Sequence, residues 1–236
     1  MHYRRLGKSD LKVSVVGFGC WPIVGGFNWG EQAEKDSLAA LRKAYELGVN
    51  FFDTAEGYGN GYSEQLIAKG LSAHLDNVII ASKVSKNNLA PSEMRKACEK
   101  SLRHLNREYI DLYQIHWPNP DIRLEDSLEC MKELRDEGKI RFAGVSNFGL
   151  ESLFKSFSSD VAPVSNQVAY NLLFRAPEWE ILPFCRDHDI SILPYCPIMQ
   201  GLLSGKYNSP EAVPEDRART RHFSSARTQA QPDQKS

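Results

Sequence analysis

Seven short apolar runs of strand length punctuate this chain, and each of the first six is followed by a segment of helical period. The pairs are KVSVVGFGC with EKDSLAALRKAYELG, VNFFDTA with SEQLIAKGL, NVIIASKV with PSEMRKACEKSLRHL, YIDLYQIHW with LEDSLECMKELRDEG, IRFAGVSNF with LESLFKSF, and PVSNQVAYNLL with APEWEILPFCRDH. ISILPYCPI closes the series. Leu38, Leu41 and Tyr45 share a face of the first helix, with Gly48 as its stop. Leu124, Leu128, Met131 and Leu134 are in step on the fourth. Ser92 is the expected cap of the third. Runs apolar on both faces belong inside a parallel sheet covered by helices. That leaves a TIM-type (β/α)8 barrel or an open doubly wound sheet. The doubly wound fold wants a glycine fingerprint entering a helix directly after its first strand, and GFGCWPIVGG misses that spacing. The expected fold is therefore the α/β barrel. The opening HYRRLGKSDLKVS reads as a β-hairpin turning at GKSD, placed to plug the barrel's N-terminal end.

A closed barrel needs eight units. Seven are found, so the expected barrel is incomplete at its C-terminus, with the eighth unit missing. Residues 1–207 are read as the barrel domain and 208–236 as a polar, disordered tail, because NSPEAVPEDRARTRHFSSARTQAQPDQKS lacks apolar period. Its Arg217, Arg219, Arg221 and Arg227 are read as solvating charge. Without an eighth strand the first and seventh strands would face each other as open edges, which a protein partner or a second copy could cover. Twenty-nine basic residues against thirty acidic ones give a net charge of -1, no footprint for nucleic acid or anionic membrane. No apolar run approaches the roughly 20 residues that span a bilayer, and MHYRRLGKSD lacks the apolar stretch of a signal peptide. The five cysteines are scattered without metal-type spacing and read as reduced thiols. The expectation is a soluble, cytoplasmic protein with no metal site.

In a parallel barrel, functional residues gather at the C-terminal ends of the strands. Those ends carry Asp53, with Tyr58 in the glycine-rich loop beyond it, then Lys83, His116, Ser146 with Asn147, Asn166 with Gln167, and Tyr195. Singly, most have ordinary explanations: Asp53 as a turn residue, Tyr58 as a loop aromatic, His116 as a core histidine. Lys83 is harder to dismiss, since a lysine ending an apolar strand wants a charge partner. Jointly they suggest chemistry. A free tyrosine titrates near pH ~10, too high for efficient proton donation at neutrality. A lysine ammonium beside it favours phenolate and lowers that value, and Asp53 can hold the lysine charged and aimed. His116 can donate a hydrogen bond to a carbonyl oxygen. The set suits protonating a carbonyl oxygen while hydride arrives at carbon. No side chain supplies hydride, so a nicotinamide cofactor is implied. His74, His104 and His188 are read as surface residues, and Glu64 as ordinary helix-start chemistry.

The stretches DTAEGYGNGYSE, IIASKV, YQIHWP, GVSNF, SNQVAYN and LPYCPIMQGLLSGK resemble the successive motifs of the aldo-keto reductases, in order and at their spacing, over roughly residues 3–207. The resemblance implies a (β/α)8 barrel and NADPH-dependent reduction of an aldehyde or ketone. It assigns Tyr58 as general acid, Lys83 and Asp53 as its tuning partners, and His116 as substrate orienter. It also implies that Ser146, Asn147 and Gln167 hold the nicotinamide carboxamide and that the Tyr195 ring stacks on the nicotinamide. GLLSGKY resembles the loop over the pyrophosphate, which brings in Leu202, Ser204 and Lys206. Trp21 and Trp117 match aromatic positions of the substrate pocket. The family's adenosine 2′-phosphate site, on an eighth strand and its helix, has no counterpart here, so the preference for NADPH over NADH and the substrate stay open. The alternative is a catalytically silent, reductase-like chain acting as a binding or regulatory subunit. A barrel for another phosphate cofactor has only the fold in its favour.

Overall fold

The computed structural model describes residues 1–26 and 29–214. Strands β1 (Tyr3–Arg5) and β2 (Lys12–Ser14) form an antiparallel hairpin. Seven further strands form one sheet in chain order, all parallel: β3 (Phe18–Gly19), β4 (Phe51–Asp53), β5 (Ile79–Val84), β6 (Ile110–Ile115), β7 (Ile140–Ser146), β8 (Ser165–Ala169) and β9 (Ser191–Tyr195). Helices α1 (Glu34–Glu46), α2 (Tyr62–Gly70), α3 (Pro91–Leu105), α4 (Leu124–Asp136), α5 (Leu150–Phe157) and α6 (Ile181–Asp187) connect them. The periodic residues Leu38, Leu41, Leu128, Met131 and Leu134 are buried on their helices, and Gly48 ends the first one with φ +88. Helix α3 starts differently from expectation. Ala90 takes the cap position without a side-chain bond, Pro91 is the first helical residue, and Ser92 lies inside the helix. Proline suits that place, because its φ is already helical and its missing N–H has no partner there anyway.

A single hydrogen bond shows that the sheet curls. Gln167 Nε2 on β8 donates to Asp53 Oδ2 on β4 at 2.7 Å. In sheet order those strands are four places apart, about 19 Å in a flat sheet with strands about 4.8 Å apart. Direct contact requires the sheet to curl around a lumen. The lower lumen is apolar, built from Phe51, Ala81, Leu112 and Val164 against Leu6, Leu11 and Val13 of the hairpin. The hairpin is therefore the floor of the barrel. It is tied down by Gly7 N donating to Ser191 Oγ (2.7 Å), Ser14 N donating to Asn50 Oδ1 (2.7 Å), and an Arg141–Asp10 ion pair at 3.0 Å. Burying each of its large apolar side chains contributes about 1.5–3 kcal/mol relative to exposure.

Strands β3 and β9 are the edges of the sheet and are not paired with each other, and no eighth parallel strand occurs among the described residues. Of the expected tail, residues 215–236, with all four of its arginines named above, lie outside the described residues. Within 208–214 a 3-10 turn spans Pro210–Ala212 and Val213 is buried. Among the described residues no helix is long and apolar enough to cross a membrane, and no group of three or more His, Cys, Asp or Glu side chains could hold a metal ion.

Candidate active site

Strand β4 ends at Asp53, and the chain then turns through a loop containing Gly57, Gly59, Asn60 and Gly61. Three of these adopt positive φ: Gly59 (+60), Asn60 (+52) and Gly61 (+90). Those conformations fold the loop back on itself and bring Tyr58 over the open end of the lumen. Lys83, the penultimate residue of β5, reaches up from beneath. Its ammonium donates to Asp53 Oδ1 (2.6 Å), Thr54 O (2.7 Å) and Tyr58 Oη (3.3 Å). An ammonium has three N–H groups and no acceptor, so all three are used. Because Tyr58 Oη accepts from Lys83, its own proton is directed elsewhere.

Asp53 is held on its other side as well. Oδ2 accepts from Gln167 Nε2 at 2.7 Å and from Gln114 Nε2 at 3.3 Å. Gln114 escaped the sequence reading, although it stands two residues before His116 and so shares its face of β6 by the period of a strand. Around the phenol, the Trp21 ring stacks at 5.9 Å and 19°, and the His116 ring stands edge-on at 5.8 Å and 79°. Trp29 packs edge-on against Trp21 at 5.4 Å. Trp117 is 44% exposed at the rim.

This packing reverses one expectation. Burial of the phenol pushes the Tyr58 pKa above its usual value; the Lys83 charge opposes the rise, and Asp53 adds to it. Lys83 loses from its own burial, but Asp53 and Tyr58 outweigh that and raise its pKa. His116 is pushed down to about 3 by burial and by Lys83. At neutral pH the site therefore holds a charged lysine, a protonated phenol and a neutral imidazole.

A second group adjoins the first. Ser146 Oγ donates to Gln167 O at 2.9 Å, Asn147 Nδ2 donates to Ser146 Oγ and to His116 O at 3.0 Å each, and Tyr195 Oη donates to Asn147 Oδ1 at 2.9 Å. The two groups are thus joined twice, at Gln167–Asp53 and at Asn147–His116. A hydroxyl and two carboxamide side chains match the donors and acceptors of a nicotinamide carboxamide, and the neighbouring Tyr195 offers an aromatic face. Leu202, Ser204 and Lys206 stand apart from this group. All three are exposed, on a 3-10 segment (Met199–Ser204) and the turn after it, where Met199, Gln200, Gly201 and Gly205 have positive φ. Ser204 Oγ donates to Gly201 O at 2.6 Å and Lys206 Nζ lies 5.4 Å from the Tyr207 ring centroid, both within the same stretch.

Residues 15–233 match the aldo/keto reductase family. The chain belongs to that family. It is 40% identical over 217 residues to the aldo-keto reductase YhdN of Bacillus subtilis, a match that takes in 87% of this chain and 65% of that protein. Among solved structures it resembles the thermostable aldo-keto reductase Tm1743 in complex with the inhibitor epalrestat, at 37% identity and TM-score 0.81, over 87% of this chain and 76% of that one. An aldo/keto reductase from Klebsiella pneumoniae in complex with NADP and acetate is similar at 34% identity and TM-score 0.77, over 86% of this chain and 71% of that one. The chain thus spans a little under two thirds of the length of its Bacillus relative. The family match runs past residue 207, into the stretch read as a tail.

Proposed function

We propose that this chain reduces an aldehyde or ketone to the alcohol, with NADPH as cofactor and Tyr58 as general acid. The observation that carries the proposal is the Lys83–Tyr58 contact: a buried phenol, kept protonated, that accepts from a charged lysine and keeps its own proton for another acceptor. A bound reduced nicotinamide supplies the hydride. A carbonyl oxygen placed over the open end of the lumen takes a hydrogen bond from Tyr58 Oη and a second from neutral His116. As negative charge develops on that oxygen, the Tyr58 proton moves to it, and Lys83 stabilises the phenolate left behind. Asp53, held by Gln114 and Gln167, keeps Lys83 charged and in place throughout. Ser146, Asn147, Gln167 and Tyr195 would hold the nicotinamide, and the exposed Leu202, Ser204 and Lys206 would serve its phosphates. Trp21 and Trp117 line the substrate's approach. NADP in the Klebsiella relative's complex supports the choice of cofactor. The catalytically silent reading has less support: it accounts for the unpaired sheet edges but not for an ammonium buried against a phenol.

Turnover decides the matter. NADPH oxidation is followed with a panel of aldehydes, for the wild type and for Tyr58→Phe. Removing the general acid should lower kcat by about 10²–10⁴-fold while NADPH affinity stays the same. Equal turnover by the two proteins would sink the proposal.

A further inference from the structure

The outer face of β5 meets a buried acid that the proposed chemistry does not use. Lys83 points into the lumen, so by strand alternation Ser82 faces the helices. Its hydroxyl donates to Glu64 Oε1 at 2.7 Å. Glu64, in the first turn of α2, has a fully buried side chain, and its Oε2 lies 3.2 Å from His104 Nδ1 on α3. Burial pushes the Glu64 pKa up, and its bonds to Ser82 and His104 oppose the rise. A buried charge costs several kcal/mol unless its partners are well placed. This carboxyl group thus connects the sheet, through Ser82, and α3, through His104, to α2.

The same cluster grips the Tyr58 loop. The His104 ring lies against Gly61, where an added Cβ would come within 2.1 Å of Nδ1. Ser63, beside Glu64, donates through its hydroxyl to Cys20 O (2.9 Å) and accepts from Thr54 Oγ1 (2.8 Å). Its backbone N–H donates to Tyr58 O at 3.2 Å. One helical turn thus connects the backbone of Tyr58 to Ser82, the residue preceding Lys83. Cys98 and the unpartnered, buried hydroxyl of Tyr113 lie in the same layer.

We infer that Glu64 and His104 are positioning residues that hold Tyr58 against Lys83 from behind the sheet. The inference rests on the role proposed above for Tyr58. Neither residue touches the substrate; both act through the loop.

The test uses the full chain with ¹³C-labelled tyrosine, following the phenol-carbon titration of Tyr58 (assigned with Tyr58→Phe) alongside kcat, KM and Tm. Glu64→Leu removes the buried carboxyl at similar volume. His104→Leu keeps an apolar group over Gly61 but strips Glu64 of its partner. Glu64→Gln can still accept from Ser82 and donate to His104. In both leucine variants the loosened loop should expose Tyr58, moving its titration toward that of ordinary tyrosines, and kcat should fall roughly tenfold or more with KM little changed. Glu64→Gln should restore both readouts. An unchanged Tyr58 titration in a folded leucine variant overturns the inference. So does a loss of Tm, KM and kcat together that glutamine fails to rescue. Should Glu64→Leu not fold, His104→Leu decides alone, since its ring is already partly exposed. A shifted titration in a chain whose wild type shows no turnover rejects the catalytic role of Tyr58 and sustains the mechanical link.

Discussion

A buried imidazole with a pKa near 3 has a consequence for stability. His116 sits below its unfolded value of 6.5, so between those two pH values the unfolded chain binds the proton that the folded chain refuses. Its contribution to stability is fully present above the unfolded pKa. It is lost as pH falls toward the folded one, at up to about 1.4 kcal/mol per pH unit. Urea unfolding at about pH 7 and again at about pH 5 should show the wild type losing more stability than His116→Phe; equal losses contradict a neutral, buried His116. Most residues of this site were legible because they lie at or near the end of a strand or open the loop after one, and strand ends converge in a parallel barrel; Gln114, inside β6, was not. The direction of the Tyr58 shift was not. It depends on how deeply Trp21 and His116 bury the phenol, and those residues lie far from Tyr58 in the chain. His104 was misread for a similar reason: its partner is Glu64, forty residues earlier.

Periodicity was enough to read the elements, and their junctions are where local chemistry decided otherwise. Pro91 took the helix start expected of Ser92, because its fixed φ outweighs a hydroxyl cap one residue further on. The hairpin was legible from GKSD between two short β segments, and its docking fits the role of plug. Gly7 is the tightest point. It has φ +51, and an added Cβ would sit 2.2 Å from Val164 O and 2.7 Å from Asp189 O, both backbone atoms that cannot swing aside. Gly7→Ala should therefore lift the hairpin from the floor of the barrel. A loss of roughly 2 kcal/mol or more is expected, from strain and clash combined. Chemical denaturation measures it, and an unchanged midpoint would mean that the hairpin is not docked as described.

At the scale of the whole molecule, alternating strands and helices pointed to a barrel, but the curl itself rests on Gln167 meeting Asp53 across the lumen, a contact no local pattern announces. The polar composition of 208–236 hid both the buried Val213 and the family match that reaches residue 233. A curled sheet with helices packed outside also protects the thiols. Cys20, Cys98, Cys130 and Cys185 are buried and Cys196 is partly exposed; burial pushes Cys98 and Cys185 up to about 12. An aromatic disulfide reagent should titrate one thiol quickly in the native chain and all five after denaturation. Several fast thiols would mean that the helices do not cover the sheet. The most direct measurement is a titration of the purified chain with NADPH, following tryptophan fluorescence, since Trp21 stacks on Tyr58 at the mouth of the barrel. Saturable quenching is expected, at the same affinity in Tyr58→Phe. A chain with protected thiols, and therefore folded, whose fluorescence does not respond to NADPH would contradict a preassembled reductase site.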